Sequence, residues 1–202
     1  MSKHLSPNQI LRKRADTTTR KTVARILEVW DSASATNRED GAQWYPLHTQ
    51  LVIRLSRDWY VSEEHAAAVL SHLSPRVQWD KAIAAAPVIL SGQRPSGILG
   101  DRIEACQQAL RAVDPLTTFG GPKTRNFYLN LIGDLDAVTV DVWAWRIALG
   151  EHDVKVESRA GVYDAVAHCY RLAAAKRGVR PSTMQAATWC ALRGRSDLTP
   201  LQ

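Results

Sequence analysis

The chain is poor in features that would announce a familiar chemistry. It holds three cysteines, Cys106, Cys169 and Cys190, far apart in sequence. Those spacings hold neither zinc nor an iron–sulfur cluster, and an odd count does not build a disulfide framework. The thiols are expected to be buried and to pack as small hydrophobes. No apolar run approaches the length of a membrane span, so no membrane partner is expected. The start, MSKHLSPNQILRKRAD, is polar and basic with no apolar stretch of signal-peptide type, which points to the cytoplasm. Strand-like alternation is nearly absent, with Val138–Val140 the single short candidate. Internal repeats and long linkers are absent too.

What remains is helical. Residues 1–16 read as a basic flexible arm, and 17–202 as one helical domain. Val23, Ile26, Leu27 and Trp30 recur at helical spacing before SASATNREDG breaks the chain. Pro46 suits the first turn of a second helix. Ser62 followed by Glu63 and Glu64 starts a third, since the hydroxyl caps free N–H groups and the acids suit the positive end of the dipole. Ser74-Pro75 ends that helix and opens one running to Pro87. Asp101 with Glu104 repeats the cap-and-acid signal ahead of Ile103, Cys106, Leu110 and Val113. Ser158 and Pro181 open the last two helices. The expectation is an all-α protein of roughly eight to ten helices.

The net charge is +6. Arg12, Lys13, Arg14, Arg20, Lys21 and Arg25 crowd the N-terminal part, and Lys176, Arg177, Arg180, Arg193 and Arg195 the C-terminal part. Such clusters suit a polyanionic partner, or serve only solubility.

The chemistry gathers in Phe119–Gly150. Pro122 sits where a first helical residue belongs, so Lys123 lies in the first turn, against the positive end of the helix dipole. That position disfavours a cation by about 0.3–1 kcal/mol. Lys123 is either a solvent lysine in a poor position or, with some desolvation, an amine nucleophile. Asp141 is placed to cap the VWAWRIALG helix, a role that alone explains an aspartate there. A capping carboxylate is also held ionised and rigid, which suits a residue that steadies a developing positive charge. Gly120-Gly121 before a helix leave N–H groups open to a phosphate, or make only a turn. The spacing from glycine to lysine is not that of a Walker loop.

Other candidates are weaker. His65 and His72 are seven apart on one face but have no carboxylate at ligand spacing, so no metal is expected. His168-Cys169 reads as core packing. Trp30 and Trp189 fit as core anchors, while Trp79 and Trp143 either stack on a base or are buried.

Taken together, these residues resemble the helix-hairpin-helix DNA glycosylase superfamily, the endonuclease III group. GGPKTRNF stands for the glycine hairpin and its lysine. VTVDVWAWRIALG stands for the aspartate segment, with its V-D-x-x-x-x-R pattern. Lys123 and Asp141 are 18 positions apart, the separation that family uses. AAAVLSHLSPRVQWDKA resembles its helix-LS-loop-helix segment, whose residue after LS wedges into the DNA stack; that position falls on Arg76. The departures are specific. Phe119-Gly120-Gly121-Pro122 replaces the usual G-hydrophobic-G, and Pro122 removes a donor, which alters phosphate or metal-ion binding at the hairpin. No four-cysteine iron–sulfur loop is present. LSPR replaces LSAQ, and Trp79, Trp143 and Trp145 are additions. GPK, VDVWA and PSTMQAATWCALRG resemble a phage-encoded branch, some of whose members are linked to modification of DNA pyrimidines.

The resemblance implies a two-lobed helical fold of glycosylase type with a central cleft, acting without a cofactor on duplex DNA that carries a damaged or modified base. Lys123 and Asp141 are its implied catalytic pair. Gly120, Gly121, Thr124 and Arg125 are its implied phosphate contacts, and Arg76, Trp79 and Trp143 line or fill the space of the flipped base. Three functions stay open: an N-glycosylase with AP-lyase activity, a pyrimidine-modifying enzyme on the same fold, and a non-catalytic DNA-binding protein.

Overall fold

A computed structural model describes residues 5–151 and 153–194, together with 196 and 198. Among these residues the chain is all-α: eleven α-helices, one short 3-10 turn and no strand. No helix among them is long and apolar enough to cross a membrane. They fall into two compact units. Unit 1 comprises the chain through Trp44 and Leu135–Ser196, and unit 2 comprises Tyr45–Asp134.

Unit 1 is built around α10 (Val162–Arg177), which buries Ala165, Val166, Ala167, Cys169, Tyr170, Ala173 and Ala174. A face this rich in small residues lets three neighbours approach closely: α1 (Pro7–Arg14), α2 (Thr19–Ser32) and α11 (Pro181–Arg193). The first is a departure from the sequence reading. Residues 7–14 of the expected flexible arm form a helix with a full capping box between Ser6 and Gln9, and Leu11 is fully buried in the core. Arg14 and Arg159 exchange side-chain bonds with the carbonyls of Ala160 and Arg14, tying α1 to the turn before α10. A single leucine inside a basic run carries little periodic signal, which is why the segment reads as an arm. Ser158 also behaves differently: it ends the short helix α9 (Val154–Glu157), and α10 starts after Gly161, held at φ +76°.

The helix α3 (Ala35–Trp59) runs through the expected break and through Pro46. It starts early because Ser34 and Asn37 cap each other, Asn37 N–H donating to Ser34 Oγ at 3.0 Å. Gly41 is therefore mid-helix, and its reason is space: a Cβ there would lie 2.3 Å from the Ala187 backbone nitrogen on α11.

Unit 2 centres on α4 (Glu63–Leu73), capped by Ser62 and buried from Ala66 through Leu73. Around it pack α5 (Trp79–Leu90), α6 (Gly100–Arg111), α7 (Pro122–Leu131) and the 3-10 turn Pro115–Thr118. Here too the boundaries move. The helix α5 begins at Trp79, four residues beyond Pro75, and contains Pro87 instead of ending there. Leu99, not Asp101, occupies the cap position of α6, and Val113 lies past its end, fully exposed. Cys106, Cys169 and Cys190 are free and buried. Burial pushes the Cys106 and Cys169 thiols up to about 12, so neither is a thiolate near neutrality.

Val138–Val140, the strand candidate, forms no strand. It is a buried non-helical segment running into α8 (Val142–Leu149). Tyr163 on α10 satisfies it from the side: its hydroxyl accepts the Val140 N–H at 3.0 Å and donates to the Val138 carbonyl at 3.0 Å. Buried peptide groups that lose such partners are costly. Tyr163→Phe should lower unfolding free energy by about 1–3 kcal/mol, read by denaturant titration with an unchanged m-value.

Candidate functional site

Asp141 and its surroundings lie in unit 1. Asp141 is the N-cap of α8, and its Oδ1 accepts the N–H groups of Trp143 at 3.0 Å and Ala144 at 2.8 Å. Behind that turn the fully buried Tyr170 donates its hydroxyl to the Ala144 carbonyl at 3.3 Å. Burial, and further the charge of Asp141, pushes the Tyr170 phenol well above its usual range, so it stays a neutral donor. At the other end Gly150 closes α8 in the left-handed region at φ +87°. Asp141 is thus half-buried and held from both sides of the chain, by the buried segment before it and the capped turn after it. Trp143, the second residue of α8, is half-buried, with the Arg146 guanidinium 4.8 Å over its ring.

Lys123 lies in unit 2. Pro122 opens α7 as the sequence predicts, and Gly121 at its cap offers no side chain to the free N–H groups. Neither Gly120 nor Gly121 takes a positive φ, and a Cβ on either would meet nothing within 4 Å. Backbone conformation and packing therefore do not demand glycine here; what the glycines leave is an unobstructed approach to the start of α7. Lys123 stands there half-buried, with no hydrogen bond or ion pair among the described residues. Thr124 is partly committed: its hydroxyl bonds the Gly121 carbonyl at 3.4 Å, and its own carbonyl accepts from Ser71 Oγ at 2.8 Å. Arg125 is exposed.

An aromatic clamp fixes this helix start. Phe119 stacks on His72 at 4.3 Å and 12°, and packs against Tyr128 at 5.2 Å. His72 Nε2 lies 2.9 Å from Thr118 Oγ1. Burial, then the nearby Arg102, drops the His72 pKa to about 4, so the ring is neutral at ordinary pH. His65 is spent on Ser62 and the Ala112 carbonyl. No group of three or more metal-type ligands gathers among the described residues.

Trp79, at the first position of α5, donates its indole N–H to His48 at 2.7 Å and sets its ring edge-on to Phe127 at 5.4 Å. It packs on α7 one turn past Lys123. Arg76 sits in the α4–α5 loop, exposed, with φ at +63°. That region costs a non-glycine residue roughly 1–2 kcal/mol, so the loop holds this arginine outward against a local penalty. Unit 2 thus carries Gly120, Gly121, Lys123, Thr124, Arg125, Arg76 and Trp79, and unit 1 carries Asp141 and Trp143.

Parts of the basic clusters have structural partners within unit 1. Arg177 pairs with Asp31 through Nε at 2.9 Å and Nη2 at 2.5 Å, and Arg180 reaches Asp136 at 3.5 Å. Arg193 lies 4.2 Å over the Trp189 ring. Arg195 falls outside the described residues. The positioning tyrosines, Tyr163 and Tyr170, were not singled out from sequence. Their separation of seven, two turns on one face of α10, is the signal that would have found them.

Residues 8–196 match the model of a family of unknown function (DUF7178), and the chain belongs to that family. No curated protein and no solved structure matches it.

The two roles open to Asp141 separate by substitution. Asp141→Ala should lose about 1 kcal/mol of unfolding free energy through the missing cap, whereas Asp141→Asn, also a preferred cap, should stay within about 0.5 kcal/mol of wild type. Denaturant unfolding of both variants measures this.

Proposed function

We propose that this protein processes bases in duplex DNA, as an N-glycosylase with lyase activity through Lys123, on a two-lobed fold of helix-hairpin-helix glycosylase type. One observation carries the reading. A half-buried amine with no partner among the described residues stands at an unobstructed helix start, 18 positions before a carboxylate that two peptide N–H groups hold in place.

The target nucleotide leaves the duplex, at a cost of a few kcal/mol that is lowest for a damaged or modified base. Asp141 accepts a proton from Lys123 and stabilises the positive charge that grows on the sugar. The Lys123 amine bonds to C1′, and the glycosidic bond breaks with its electron pair leaving on the base, which takes up a proton. The amine then loses a proton, and the C1′–O4′ bond breaks with its electron pair going to O4′, which takes up a proton, leaving a Schiff base between Lys123 and C1′. Removal of a proton from C2′ then expels the 3′ phosphate. The open N–H groups beside Gly120 and Gly121, with Arg125, hold a backbone phosphate. Pro122 leaves this hairpin one donor short, so the phosphate grip is weaker than the family's usual one. Arg76, presented outward on its strained loop, fills the space of the flipped base.

The hairpin departure also favours a second reading, in which the same pair acts on modified pyrimidines by substituting a group on the base. Borohydride trapping on abasic and base-modified duplexes separates the two. The expected result is a covalent protein–DNA adduct that disappears in Lys123→Gln. No adduct, with altered nucleoside masses after incubation, would replace excision with base modification. Salt-dependent binding with neither effect would leave only a DNA-binding protein.

A further inference from the structure

Unit 1 holds an open groove of about 780 Å³ between α2, α8 and the end of α11, within the range of small-molecule sites. Its wall is the half-buried Trp143 indole, and Val29, Ile147 and Leu192 supply apolar surface. Two cations enter it. The Arg146 guanidinium lies 4.8 Å over the Trp143 ring. Arg25 reaches across from α2 to Gly150, where a Cβ would sit 3.7 Å from its Cζ, so this cation meets the negative end of the α8 dipole. Glu28 and Glu151 also line the groove. None of these four charged groups is ion-paired or hydrogen-bonded among the described residues. Both donors and acceptors are therefore left for something else.

We propose that this groove binds a nucleotide, its base on the Trp143 indole and its phosphate on Arg25 and Arg146. An indole beside a guanidinium is a stacking platform for a planar heteroaromatic ring. The free carboxylates of Glu28 and Glu151 accept from the amino and imino groups of a base edge, which a simple anion lacks. The phosphate has a continuing path, since Lys21 stands one turn along the exposed face of α2 from Arg25. The inference adds a nucleotide contact to the DNA reading and requires nothing of Lys123, so the two fail separately.

Equilibrium dialysis of the full chain tests it with two probes, thymidine 5′-monophosphate and a twelve-nucleotide oligothymidylate. Binding of the monophosphate assigns the groove to a single nucleotide unit; binding of the oligomer alone assigns it to a strand segment. In either case Trp143→Ala and Arg146→Gln should each weaken binding by about tenfold or more, and Trp143→Phe should preserve most of it. Thermal melts check that each variant is folded; Arg146 is exposed, so its substitution reports even where Trp143→Ala unfolds. No binding of either probe, or binding that Arg146→Gln leaves intact, overturns the proposal.

Discussion

Ala137–Val140 runs buried and non-helical, with no strand among the described residues, and a side chain supplies hydrogen bonds to two of its peptide groups. Tyr163 does so at Val138 and Val140. The next residue, Asp141, passes the chain into α8 by taking two N–H groups of that helix. Seven residues beyond Tyr163 on α10, Tyr170 holds the Ala144 carbonyl. One helix face thus fixes both the approach to the aspartate and the turn that follows it. Apolar packing alone would bury this segment without specifying it; the tyrosine hydroxyls select its conformation. In the proposed role a carboxylate held this way would lose little freedom, which is what electrostatic preorganisation requires.

In unit 2 the same result comes from aromatic rings. Phe119 before the hairpin and Tyr128 after it meet, with His72 behind, while Phe127 receives the edges of Trp79 and Tyr45. The helix start that carries Lys123 is therefore anchored on both sides, yet its own first turn is left open by two glycines that nothing in the fold requires. A packed helix start with an unobstructed first turn is the combination the proposed nucleophile needs.

Much of this is written locally in the sequence. Ser62, Pro122, Asp141 and Pro181 mark helix starts at the positions seen, because caps and first-turn prolines act over three or four residues. Pro46 and Pro87 mislead because here the same residue, which suits a first turn, lies inside a helix at the cost of one backbone donor. Leu11 misleads because one buried leucine in a basic run has no periodic company. The clamp around α7 and the groove at Trp143 are harder still: they arise from residues distant in sequence, and pattern within a window does not report such pairs. What the sequence does carry about function is a spacing, Lys123 to Asp141, whose two ends each have an ordinary structural explanation.

That spacing means function only if the two groups act on one substrate. Initial rates of base release or modification on the preferred duplex, measured for Lys123→Gln, Asp141→Asn and the double variant, address this directly. Residues that serve one chemical step are strongly non-additive. The double variant should be no slower than the worse single variant, with each single loss exceeding about a hundredfold. Losses that simply multiply, or an Asp141→Asn variant with full activity, would contradict a shared catalytic role.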